Sequence, residues 1–144
     1  MGRFIALEAR PFWKSAGELS SGSAGCLPVK PWRLAGKLAV RYVIHTVGPF
    51  WSGGQRDEPE TLASCHRESI RIADELQLAS IAFPAISTGA YRYPVEQAAQ
   101  VAVSSAAGAL EKAAHLREVR FVLFDGGTVE QYAEAARKVN RLAM

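Results

Sequence analysis

Cysteine is scarce in this chain. Cys26 and Cys65 are the only two in 144 residues, far apart and outside any C-x-x-C spacing, so neither a disulfide framework nor a zinc cage is implied. Long apolar runs are absent as well. No stretch approaches the roughly 18 residues of a membrane span, and the N-terminus lacks the continuous apolar core of a signal peptide. No membrane association is expected, and a cytoplasmic location is. Charge of either sign is not concentrated: the formal net charge is +3, and the 17 Lys and Arg residues are scattered. Arg67, Arg71 and Lys112, like Arg137, Lys138 and Arg141, read as solvated helix faces rather than as a nucleic-acid patch. No residue pattern asks for a metal or a cofactor.

What is present suits a globular fold, with 49% hydrophobic and 22% charged residues in a length that fits one domain. Residues 1–37 are the exception. Seven positions between Ser15 and Gly25 are Ser or Gly, Pro11, Pro28 and Pro31 act as breakers, and no hydrophobic period lasts beyond a turn. We read a poorly defined N-terminal segment, flexible from Lys14 to Gly25. Phe4-Ile5-Ala6-Leu7 is a candidate edge strand, and Trp13 and Trp32 are candidate cover for part of the core.

From residue 38 the pattern becomes regular. Leu38 to Val47 is β-rich and is stopped by Gly48-Pro49. His45 in that run has no acidic or nucleophilic partner placed beside it and reads as a packed strand histidine. Asp57 with Glu60 resembles a capping arrangement for a helix whose stripe is Leu62, Cys65, Ser69, Ile72, Ala73 and Leu76. Pro94 suits a first helical position before Ala98, Val101, Ala102, Ser105, Ala109 and Leu110. Glu118 to Asp125 reads as a buried strand. Thr128 and Gln131 form a capping box for a last helix with Val129, Tyr132, Ala136, Val139 and Leu142 inward. This alternation over residues 38–144 predicts an α/β domain with parallel strands and helices on the sheet's faces.

The centre of the pattern is Ser80 to Pro94, SIAFPAISTGAYRYP. Ile81 to Ala85 suits a strand buried on both faces, and Ser87-Thr88-Gly89-Ala90 breaks it before a helix. Such a loop lies beyond the carboxyl end of a strand and at a helix N-terminus, where backbone N–H groups favour an anion. Spacing alone leaves two readings open, a phosphate cradle and a plain connecting turn. In the first, the Ser87 and Thr88 hydroxyls and the N–H groups from Thr88 to Tyr91 face the phosphates. Gly89 lets the backbone approach, and Arg92 adds a cation. Tyr91 and Tyr93 read as packing residues.

Together with RYVIHTVGPFW at 41–51 and LASCHRESIRIADEL at 62–76, this stretch resembles the second half of a macro domain, from about Arg41 to Arg137. The resemblance implies a three-layer αβα fold with a mostly parallel central sheet. It also implies recognition of ADP-ribose or an ADP-ribosylated substrate, with hydrolysis of ADP-ribose derivatives as the family activity. By that likeness Ser87, Thr88, Gly89, Ala90, Tyr91 and Arg92 hold the diphosphate and the Phe124 ring stacks on adenine. The family's early aspartate, its Asn-Ala-Ala-Asn segment and its Gly-rich loop with Val-Asp have no match here; the sole asparagine is Asn140. The early strands are therefore expected to be missing or replaced, no catalytic residue is assigned, and binding should outlast catalysis. The alternative is a non-catalytic ADP-ribose reader, or a fragment whose open sheet edge drives self-association or needs a partner.

Overall fold

The structure, a computed structural model, describes the backbone of residues 4–9 together with residues 41–42 and 44–143. Its elements run β1 (Phe4–Ala9), α1 (Glu58–Glu75), β2 (Ser80–Phe83), α2 (Val95–Lys112), β3 (Glu118–Leu123) and α3 (Gly126–Leu142). β3 lies between the other two strands and pairs parallel with both, Phe4 and Ser80 opposite Glu118, and Phe83 opposite Phe121. Parallel pairing puts the carboxyl ends of all three strands on one rim.

Period-two alternation decides which face of β3 is covered. Val119, Phe121 and Leu123 are buried, while Glu118, Arg120 and Val122 are half-buried. The buried set joins Phe83, Ile70 and Ala73 of α1, the Ala99, Ala102, Ala106 and Leu110 side of α2, and Tyr132 and Ala135 of α3 in one core. Each large side chain buried there contributes about 1.5–3 kcal/mol. The run of alanines on α2 is what lets α1 and α3 both pack against that helix. The Phe83 and Phe121 rings stack with centroids 5.8 Å apart, consistent with the register. Among the described residues the helices form a single layer on this face, and Ser80 and Ala82 of β2 remain exposed.

The α/β class and the parallel sheet agree with the expectation, and Phe4–Leu7 does lie in an edge strand of the described sheet, one that continues to Ala9. The strand expected over residues 38–47 does not form in its described part, 41–42 and 44–47. A strand needs a ladder partner, and among the described residues none pairs with this segment. It is held instead by side chains: Tyr42 and Ile44 pack against the core, and the Cys65 thiol donates to the Val47 carbonyl at 3.3 Å. His45 is accordingly half-buried in an irregular segment rather than in a strand. The expectations for Trp13, Lys14 to Gly25, Cys26 and Trp32 lie outside the described residues.

Helix boundaries differ in instructive ways. Asp57 precedes α1 with a left-handed φ of 56° and makes no side-chain cap. The last helix begins at Gly126 rather than at Thr128: its cap is Asp125, whose carboxylate accepts from the Thr128 N–H at 2.8 Å and from the Thr128 hydroxyl at 3.2 Å. Pro94 is the residue before α2 rather than its first. On α1 the covered stripe is rotated from the expected one, with His66 and Ile70 buried and Leu76 exposed.

Candidate functional site

The rim at the carboxyl ends of β2 and β3 carries the loop from Pro84 to Pro94 and the turn from Phe124 to Gly127. Internal bonds shape the first of these. The Thr88 N–H and hydroxyl both donate to the Ala85 carbonyl, at 3.4 and 2.9 Å, the Arg92 N–H donates to Gly89 at 3.0 Å, and the Tyr93 N–H donates to Ser87 at 2.9 Å. Three successive N–H groups, of Gly89, Ala90 and Tyr91, are left with no acceptor among the described residues, and all three residues are exposed. Ser87 and Arg92, at the two ends of the loop, hold left-handed φ angles of 68° and 59°. Such backbone strain costs of order 1–3 kcal/mol per residue and persists only where surrounding contacts impose it.

The residues expected to hold a diphosphate therefore divide. Gly89, Ala90 and Tyr91 present backbone donors to solvent. Thr88 turns its hydroxyl inward, and its amide is engaged as well. The Ser87 hydroxyl is buried with no hydrogen-bond partner among the described residues. Arg92 is exposed and makes no ion pair among the described residues. Phe124, just past β3, is 83% exposed, with its ring uncovered by the described residues. Tyr93 is buried, whereas Tyr91 is 39% exposed.

A second loop, Gly48 to Asp57, braces the first. Gly48 approaches so closely that a Cβ there would fall 2.1 Å from the Ser87 hydroxyl oxygen and 2.5 Å from the Ile86 Cγ2, which only glycine avoids. The Trp51 N–H donates to the Tyr91 carbonyl at 2.9 Å. The Trp51 ring lies against Tyr93 at 4.6 Å, and Phe50 against Tyr91 at 5.8 Å. Glu58 ties this second loop down: its carboxylate accepts from the N–H groups of Ser52 (2.8 Å), Gly54 (3.1 Å) and Arg56 (2.6 Å). Burial alone would raise the Glu58 pKa, but those amides and its own outweigh it and hold the carboxyl below its usual range. The Tyr93 phenol is pushed up by burial and then by the Glu58 charge.

Sequence reasoning missed Glu58. The available signal was an acid opening a helix directly after a Gly-Gly loop, Gly53-Gly54, and both glycines take positive φ here. His66, the described histidine most removed from solvent, is a core residue against Phe83 and Phe121, with its Nδ1 donating to the Leu62 carbonyl at 2.9 Å. Among the described residues no group of three or more His, Cys, Asp or Glu is placed to hold a metal. Chemically, among the described residues the rim offers fixed neutral donors, the Arg92 cation and an exposed aromatic ring.

Comparison with known proteins places this geometry. The sequence model of the Macro domain family matches residues 31–102, half of the chain. A Macro domain-containing protein of Caldanaerobacter subterraneus is 47% identical over 107 residues, covering 74% of this chain and 61% of its own length. A Salmonella gallinarum protein named O-acetyl-ADP-ribose deacetylase is 44% identical over 117 residues, covering 81% of this chain and 62% of its own. Among solved structures, a mutant of the Oceanobacillus iheyensis macrodomain with ADPR superposes with a TM-score of 0.66 at 35% identity, covering 70% of this chain and 54% of that one. The chain thus spans a little over half the length of the proteins it matches. A match over half its residues and a shared fold at this identity establish that the chain belongs to the macro domain family.

Proposed function

We propose that this chain binds ADP-ribose, with the diphosphate on the N–H groups of Gly89, Ala90 and Tyr91 and adenine on the Phe124 ring. The observation that carries the reading is the run of three exposed backbone donors, unpaired among the described residues, on the rim shared with an exposed aromatic ring. Successive backbone amides held in a fixed loop suit an anion because they carry partial positive charge and need no reorganisation on binding. Arg92 adds a charge to whichever phosphate oxygen lies outermost, and the inward Thr88 hydroxyl serves the loop's shape rather than the ligand. The partner is free ADP-ribose or an ADP-ribosylated molecule.

The 44% identical relative named O-acetyl-ADP-ribose deacetylase favours a second reading, in which the bound nucleotide sugar is also hydrolysed. Among the described acids near the rim, Asp125 caps α3, Glu58 holds its own loop, and Glu96 lies exposed in the first turn of α2, where it is read as a surface residue. An attacking water would then be oriented by backbone groups or by the substrate itself. Calorimetric titration with ADP-ribose, paired with an assay of acetate release from O-acetyl-ADP-ribose, separates the two. Saturable binding without acetate release is the expected result and marks a reader. Turnover establishes the second reading, and absence of binding removes both.

A further inference from the structure

Resting on that reading of the rim, we infer that Glu58 is a positioning residue for the diphosphate loop: through the Ser52–Arg56 loop it fixes the backbone that presents the Gly89, Ala90 and Tyr91 donors. Glu58 itself opens α1 and faces no solvent, with 2% of its surface exposed. Its carboxylate holds Ser52, and the next residue back, Trp51, is bonded through its N–H to the carbonyl of Tyr91. That carbonyl adjoins the last of the three free donors. The Trp51 ring covers Tyr93, whose own N–H closes the loop onto Ser87. Leu62 and Ala98 complete a small apolar cluster with Tyr93, against which Trp51 packs beneath the loop. The path from carboxylate to donors therefore consists of contacts between consecutive partners, with no gap.

The charge matters as well as the shape. Three loop N–H groups converge on one carboxylate, and an amide side chain in the same place would turn an NH2 group toward donors instead of acceptors. Losing one acceptor oxygen leaves a part-buried loop N–H without its partner, and the loop relaxes toward solvent to satisfy it. Trp51 moves with it, and the strained φ angles at Ser87 and Arg92 lose the contacts that impose them.

The test compares the affinity for ADP-ribose and the melting temperature of the full chain in four forms: wild type, Glu58→Gln, Trp51→Phe and Asp74→Asn. Asp74 lies at the far end of α1 and bonds the turn before β3, so its loss weakens the fold away from the rim. The expected result is that Glu58→Gln binds at least tenfold more weakly and Trp51→Phe several-fold more weakly. Asp74→Asn keeps wild-type affinity despite an equal or larger fall in melting temperature. Affinity within twofold of wild type in both Glu58→Gln and Trp51→Phe overturns the inference, as does an equal loss in Asp74→Asn, which would make stability the cause. If Glu58→Gln does not fold at the assay temperature, Trp51→Phe decides alone. A wild type that binds no ADP-ribose overturns the reading of the rim, and this inference with it.

Discussion

A phenylalanine ring held 83% in solvent at the end of a buried strand contributes little to the fold, so its removal isolates the ligand. Phe124→Ala should leave unfolding free energy within about 0.5 kcal/mol of wild type, as surface substitutions usually do. Losing an aromatic stack worth about 0.5–1.5 kcal/mol should weaken ADP-ribose several-fold while leaving pyrophosphate unchanged. Calorimetry with both ligands checks this, and equal loss for both would take the ring out of adenine recognition. The loop at 87–92 was legible as a rim loop because a strand, a run of small residues and a helix leave a spatial signature, whereas Phe124 stood out only through the family resemblance. Glu58 was not legible. The spacing of Asp57 and Glu60 imitates a capping arrangement, and nothing in one dimension shows that Asp57 turns left-handed and passes the task to its neighbour.

At the scale of the element, α1 carries several groups whose protonation differs between folded and unfolded chain, His66 and Asp74 among them. Burial against Phe83 and Phe121 lowers the His66 pKa from 6.5 to about 4, only partly offset by the bond to Leu62. The folded state therefore binds fewer protons than the unfolded one between those values. His66 contributes fully above pH 6.5, and its contribution fades as pH falls toward 4, by up to roughly 3 kcal/mol. Asp74 follows in a lower window: bonds from the N–H groups of Leu116, Ala114 and His115 hold its carboxyl at about 2, so its contribution is lost between about pH 4 and 2. Urea unfolding at a series of pH values should show stability falling in both windows, with His66→Leu flattening the upper one alone. An unchanged upper limb in His66→Leu would contradict the burial account. The same helix shows how far periodicity reaches. Spacing found the helix and half its stripe, but His66 and Ile70 replaced Leu76 because α1 packs on α2 as well as on the sheet, which widens the covered arc.

Among the described residues the molecule is a three-stranded parallel sheet with its helices on one face, and the order α1, β2, α2, β3, α3 was readable because the hydrophobic period switches between helical and strand spacing along the chain. The edge strand at Phe4–Leu7 was placed, whereas the strand expected over 38–47 does not form in its described part. Residues 38–47 have the composition of a strand, but pairing is a property of neighbours, and the described sheet takes its remaining strand from Phe4–Ala9 instead. What survives across that difference is the rim, because it depends only on β2 and β3 running parallel. The central claim is that the free donors of Gly89, Ala90 and Tyr91 hold a diphosphate. A Cβ on Gly89 would meet nothing within 4 Å, and its φ is not left-handed, so Gly89→Glu places a negative charge over those donors without disturbing the fold. Titration of ADP-ribose into wild type and Gly89→Glu, with matched melting curves, should show binding in the first and none in the second; equal affinity in both would contradict the account.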